Sequence, residues 1–193
     1  MRIDSPRDLP GVVLARHGET DYNVDRRFQG WLPVALNERG RCQAAELAER
    51  AQDWGFEMMW CSPLARARET ADIVAGSLGL TPREDARLAE TDTGEWTDRP
   101  FSEVAEEDPE RLAAFLRGDP DFAFPGGESF SGQANRVMAA LEVIASGPRP
   151  VLVVCHGVAI RLALTRLGRA PAIAGGAIAA SVSNAALIPL YPA

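Results

Sequence analysis

The chain has 193 residues, 46% hydrophobic and 24% charged, with a net charge of −7 and a pI near 4.9. That is the make-up of one globular domain with room for an insertion, and it speaks against nucleic acid as a partner. All 20 basic residues are arginine, so no lysine is available as a Schiff base or a P-loop cation.

Three cysteines, Cys42, Cys61 and Cys155, include no C-x-x-C and do not make a disulfide framework. Two histidines leave little from which to build a zinc site, and neither a metal nor a cofactor is expected. The apolar runs fall short of a membrane span, and the first eight residues lack the apolar stretch of a signal peptide. The expected location is the cytoplasm, with no membrane partner. Oligomeric state is left open, and the sequence allows a homodimer.

A first strand is expected over 11–16, where Val12-Val13-Leu14-Ala15 runs into Arg16-His17-Gly18. A continuous apolar run closed by glycine reads as a strand buried on both faces. Residues 18–35 look irregular, and a long loop directly after a strand is more often functional than a spacer. Asn37 caps a helix carried by Ala44, Leu47, Ala48 and Ala51 as far as Trp54, and Gly55 stops it. A second strand spans 56–61, and a helix follows over 64–78. Arg66 and Arg68 lie in that helix's first turn, where a cation opposes the helix dipole, so a purely structural reading explains them poorly.

A short strand is placed within 81–88. Residues 97–128 are the least core-like part and read as an insertion covering a site, with one helix at 109–116 behind Asp108-Pro109. Ser129 caps a helix over 130–145, followed by a strand at 151–155, a helix at 158–167 and a last strand at 185–190. Residues 170–180 are small and apolar and fit no pattern. Strands alternating with helices predict a three-layer α/β/α sandwich on a mostly parallel sheet.

The second strand-like run, Val151-Leu152-Val153-Val154-Cys155, again ends in His-Gly, at His156-Gly157. Both histidines of the chain thus sit at the carboxyl ends of buried strands, where open α/β sheets bind ligands. Strand ends in one sheet converge, so Arg16, His17, Arg66 and His156 are expected in one pocket. Guanidinium forks beside imidazoles suit a phosphoryl group, and a neutral histidine can attack phosphorus. The glycines after each histidine are expected to let backbone N–H groups approach an anion.

These residues resemble the histidine phosphatase superfamily, also called phosphoglycerate mutase-like. Arg16-His17-Gly18-Glu19-Thr20 resembles its R-H-G-[ET] signature, and Ser62-Pro63-Leu64-Ala65-Arg66-Ala67 its S-P-L-x-R-A segment. Leu36-Asn37-Glu38-Arg39-Gly40, Arg87-Leu88-Ala89-Glu90, Pro125-Gly126-Gly127-Glu128-Ser129 and Val154-Cys155-His156-Gly157 match further segments in order. The resemblance spans most of the chain and implies a single domain. It implies a metal-independent phosphomonoester hydrolase acting through a phosphohistidine on a small phosphorylated substrate. His17 would be the nucleophile, Glu90 the proton donor, and Arg16, Arg66 and His156, as imidazolium, the stabilisers of phosphoryl charge. Asn23, Gln29, Gly30 and Gly157 would complete phosphate binding. Asp98 departs from the family, standing where many members have glycine.

Bland roles compete at several positions. Glu19 and Thr20 are suited to fixing the loop, and Glu128-Ser129 to helix capping. Phe28, Trp31, Phe122 and Phe124 fit a pocket mouth or the core equally. Cys155 and Arg161 also have the C-x5-R spacing of cysteine-dependent phosphatases. A mutase would need further cations, for which Arg99, Arg111 and Arg117 of the covering segment are available. A third alternative is a protein that binds phosphorylated ligands without turnover.

Overall fold

Strand β1 (Val12–Arg16) runs between β4 (Val151–Cys155), parallel to it, and β5 (Leu187–Pro189), antiparallel. Beyond β4 lie β2 (Met58–Cys61) and β3 (Pro82–Glu84), giving the order β3-β2-β4-β1-β5 with only the β5 edge antiparallel. The computed structural model describes residues 11–169 and 182–190.

Side chains alternate across the sheet, as the pleat requires. Val12, Leu14, Val151 and Val153 point to one face and pack on α6 (Phe130–Ala145) and α7 (Gly157–Arg166) through Leu141, Ile144 and Ile160. Val13, Ala15, Leu152 and Val154 point to the other and pack on α2 (Glu38–Ala51) and α3 (Ala65–Leu78) through Leu47, Ala71 and Val74. This is the expected three-layer sandwich, and it explains why β1 and β4 are apolar throughout: neither strand has a wet face.

The differences from the sequence reading are local. The loop after β1 contains α1 (Asp21–Val24), closed by a reciprocal capping box between Thr20 and Asn23. Helix α2 tightens into a 3₁₀ turn at Gln52–Trp54 before Gly55, which takes a φ of +61°. Strand β2 starts two residues later than expected, at Met58, and β5 is shorter than 185–190. Residues 170–180 lie outside the described residues.

The covering segment has more order than its composition suggests. It holds α4 (Phe101–Glu107), which the sequence reading missed, and α5 (Pro109–Arg117). Beneath them Phe28, Trp96, Phe115, Phe122, Phe124 and Phe130 form an aromatic core of their own. Most of its rings meet edge-on or tilted, as between Trp96 and Phe124 with centroids 5.4 Å apart, while Phe28 stacks on Phe101 of α4 at 4.1 Å. Phe28, Phe122 and Phe124 are therefore core first, whereas Trp31 is 54% exposed.

Glycine is required where β1 hands over to the loop. A Cβ on Gly18 would lie 2.3 Å from the Gly40 carbonyl oxygen, and one on Gly40 would lie 2.0 Å from the Glu19 carbonyl oxygen. The Gly18 N–H donates to Thr70 Oγ1 at 3.0 Å, so this glycine serves close packing against α2 and not the backbone approach to an anion that the sequence suggested. Helix propensity alone predicts that Gly40→Ala in α2 stabilises by about 1 kcal/mol. The contact predicts the opposite, a loss of roughly 2–3 kcal/mol from overpacking against rigid backbone, measurable by denaturant unfolding of the two proteins.

Candidate active site

The parallel register sets Arg16 opposite Cys155, so the next residues, His17 and His156, leave the sheet side by side. Their ring centroids are 5.2 Å apart, and the His17 N–H donates to the Cys155 carbonyl at 3.0 Å. Strand β2 ends beside them at Ser62, whose N–H donates to the Val154 carbonyl. Three neighbouring strand ends thus deliver His17, His156 and, through Ser62 and the start of α3, Arg66.

An inner cavity of about 110 Å³ is lined by Arg16, His17, Asn23, Gln29, Gly30, Arg66 and Glu90, among others. It opens into an outer recess of about 260 Å³ bounded by Arg16, Arg26, Glu90, Phe101, Gly157 and Val182, among others. Each is smaller than the ~300 Å³ at which ligand pockets usually start, which suits a small ligand. Of the expected site residues only His156 lines neither space. It is fully buried behind His17, with Nε2 2.7 Å from Ser62 Oγ.

The hydrogen bonds fix how each group faces the cavity. His17 Nδ1 lies 2.7 Å from the Gly18 carbonyl oxygen, which can only accept, so Nδ1 carries the proton and Nε2 keeps its lone pair. Asn23 Oδ1 accepts from the Thr20 N–H and hydroxyl and from Asn184, which turns its amide nitrogen toward the cavity. Arg66 donates to the carbonyls of Gly30 at 2.9 Å and Leu32 at 3.3 Å, and Arg16 to that of Val182 at 2.7 Å. Gly30 thus works through Arg66 as well as through its place on the wall. The Nε groups of both arginines are buried without an acceptor in the protein, as is Gln29 Oε1 without a donor.

Glu90 accepts from the Thr91 N–H at 3.0 Å and from Gln133 at 3.1 Å on one oxygen, and from the Val158 N–H at 3.3 Å on the other. Its backbone is held too. Arg136 donates to the Glu90 and Ala89 carbonyls while its guanidinium pairs with Glu128 at 2.7 Å on both oxygens. Gly157 leaves room for the neighbouring guanidinium, since a Cβ there would lie 3.4 Å from Arg16 Nε.

Electrostatics follow from burial. Desolvation, with Glu90 opposing it and Arg16 assisting, brings Arg66 down to about 10, still cationic at neutral pH. Desolvation first, then Arg66 and Arg16, hold His17 well below its usual range, and the same causes act on His156. The site therefore holds two neutral imidazoles, whereas the imidazolium expected of His156 belongs to the step in which phosphoryl charge is stabilised. Burial also pushes the Cys155 thiol up to about 12, which makes it a core residue and removes the C-x5-R alternative.

Several arginines outside the cavities are held by surface carboxylates. Arg68 faces outward to Asp72, at 3.0 Å, and Glu84, so it is a surface ion-pair residue. Arg99 pairs with Glu103 at 2.7 Å, and Arg111 lies 3.4 Å from Asp108; neither lines the cavities. Glu19 fixes the loop, accepting from Asn37 and taking its N–H to Gln43. The sequence reading missed Arg26, Arg27, Phe101, Phe115, Thr93, Val158 and the segment around Val182 and Asn184 as parts of the site. Arg27 binds Asp98 through its side chain at 2.9 Å, with the Tyr22 hydroxyl on the same oxygen at 2.7 Å. Asp98 keeps a φ of +68°, the conformation glycine would supply, and gains this clasp.

The profile of the histidine phosphatase superfamily (branch 1) matches residues 12–190. A probable phosphoglycerate mutase of Klebsiella pneumoniae is 37% identical over 166 residues, covering 84% of this chain and 77% of that protein. A mycobacterial glucosyl-3-phosphoglycerate phosphatase, solved as a complex with VO3, is 35% identical, with a TM-score of 0.78 over 91% of this chain and 88% of the other. The Bacillus stearothermophilus protein YhfR is 32% identical, with a TM-score of 0.77 over 83% of this chain and 80% of the other.

The two buried neutral histidines carry a pH dependence of stability. Their folded values are lowered, so on acidification the unfolded chain takes up these protons first, near pH 6.5. Stability is complete above about pH 6.5 and falls as pH drops below it, by up to roughly 1.4 kcal/mol per pH unit for each histidine. Urea unfolding at pH 7 and pH 5.5 measures this, and His17→Asn is expected to flatten the difference.

Proposed function

The chain belongs to the histidine phosphatase superfamily (branch 1), and we propose that it hydrolyses a small phosphomonoester through a phosphohistidine on His17. The observation that carries this reading is the pair of buried guanidinium Nε donors, on Arg16 and Arg66, that have no acceptor in the protein and flank a neutral imidazole. Unmet buried donors each cost about 1–3 kcal/mol, and a phosphoryl group would satisfy both. The VO3 complex of the mycobacterial neighbour supports an oxyanion site.

In this reading His17 Nε2 attacks phosphorus as the ester P–O bond breaks, and Glu90 gives its proton to the leaving oxygen. Water then attacks the phosphohistidine, Glu90 takes the proton back, and phosphate leaves with His17 neutral again. Arg16, Arg66 and the Asn23 amide neutralise and orient the phosphoryl oxygens, Gln29 and Gly30 complete the wall, and Gly157 opens α7 toward them. A bound phosphoryl dianion would raise the proton affinity of His156, so the imidazolium form belongs to the liganded state.

Hydrolysis is the first reading: of the cations a mutase would need, Arg99 and Arg111 are committed to Glu103 and Asp108 away from the cavities, and Arg27 is bound to Asp98, which leaves Arg26 at the recess for a second anionic group. The Klebsiella relative's name keeps the mutase reading as second. It would show as interconversion of 2- and 3-phosphoglycerate faster than phosphate release. Three free thiols suit a reducing compartment, which supports the cytoplasm. No described helix is long and apolar enough to cross a membrane.

Release of phosphate from 4-nitrophenyl phosphate is expected to survive a chelator and to fall at least about a thousandfold in His17→Ala. Cys155→Ala is expected to keep most of the activity. Activity persisting in His17→Ala would overturn the assignment, as would an enzyme-bound phosphate that withstands acid but not alkali.

A further inference from the structure

Gln133 is a polar residue on α6 with no solvent exposure, and its amide is bonded at both ends. The Thr91 hydroxyl, itself 1% exposed, donates to its carbonyl oxygen, which sets the amide so that Nε2 faces Glu90 Oε1 at 3.1 Å. The Thr91 N–H reaches the same oxygen at 3.0 Å. A carboxyl oxygen that already accepts two N–H donors has no room for a proton directed at either. Glu90 Oε2 has only the longer contact with the Val158 N–H, at 3.3 Å.

Resting on the reading of Glu90 as the proton donor, we propose that Gln133 is a positioning residue that divides the labour of the two Glu90 oxygens. Oε1 is the anchor, held by Gln133 and Thr91, and Oε2 is the oxygen that carries the proton to the leaving group and recovers it from water. The other titratable and charged groups around this carboxylate are His17 and Arg16 at the end of β1, Arg26 and Arg27 of the loop, Arg66 on α3 and Arg136 on α6, with the Cys155 thiol at the end of β4; Arg16 and Arg66 bear on its charge across the cavity and Arg136 binds its carbonyl. The hydrogen bonds that tell the two carboxyl oxygens apart come from Gln133, Thr91 and Val158. A glutamine is suited to that work because its neutral amide adds a donor without adding charge to an already cationic site.

Proton donation matters in proportion to how poor the leaving group is. An alkoxide must be protonated as it departs, whereas 4-nitrophenolate leaves without help. The test compares kcat/KM, which covers the steps up to departure of the leaving group and not the shared hydrolysis of the phosphohistidine, on glycerol phosphate and on 4-nitrophenyl phosphate for wild type, Gln133→Leu, Thr91→Val and Glu90→Gln. The expected result for Gln133→Leu is a loss of at least about tenfold on glycerol phosphate and less than about threefold on 4-nitrophenyl phosphate. Thr91→Val, which keeps the shape and frees the amide to rotate, is expected to show the same skew at smaller size and serves if Gln133→Leu does not fold. Equal losses on the two esters in both variants, or none, would overturn the proposal while a skew in Glu90→Gln left the assignment of the acid standing. Absence of any skew in Glu90→Gln would instead remove Glu90 as the acid, and the proposal with it.

Discussion

The parallel pairing of β1 with β4 is the constraint on which the rest depends. It sets Arg16 against Cys155, and so brings the two histidines of the chain within ring contact at 5.2 Å. A slip of one residue would turn every side chain of β1 to the opposite face, sending Val12 and Leu14 from the α6–α7 core into the α2–α3 core. The register is therefore enforced by two hydrophobic layers at once. The placement of the chemistry is inherited from that burial, with no need for the polar groups to find one another.

Burial then shapes the chemistry. Two deeply buried guanidinium groups, Arg16 and Arg66, and two imidazoles share a site with the carboxylate of Glu90, while Arg26 and Arg27 stand at its mouth. Removing such cations from water is costly, and backbone carbonyls of Gly30, Leu32 and Val182 offset only part of the cost. The histidines respond by staying neutral. For His17 that state is also the reactive one, because its remaining proton is on Nδ1 against Gly18 and its lone pair is on Nε2. One cause, desolvation beside fixed cations, thus both keeps protons off the two imidazoles and readies the nucleophile.

Much of this was legible in the sequence because it rests on short-range patterns. Apolar runs ending in Arg-His-Gly and Cys-His-Gly announce buried strands with a polar group at the tip, and the parallel sheet follows from alternation. Asn37 and Ser129 cap their helices as their side chains require. What failed depends on distant partners. Arg68 looked misplaced at a helix start, yet Glu84 and Asp72 account for it. Gly18 looked like a phosphate-loop glycine, yet Gly40, on another element, demands it. Helix α4 lacks a side-chain cap and begins after a proline, and the Thr20–Asn23 box was hidden in a loop read as irregular. Asn184 and Val182 reach the site from more than 150 positions along the chain, beyond any local signal.

The clasp between Arg27 and Asp98 has a consequence for how molecules enter. Backbone bonds flank it on both sides, from Phe28 to Arg99, from Asp98 to Phe28 and from Phe101 to Arg26, so the covering segment is sewn to the loop that carries Asn23. An aromatic core lies directly beneath the seam. Among the described residues, this side of the recess is thus a joined collar and not a free edge. On that side, discrimination among esters would fall to the bore left between the collar and α7, by what passes it.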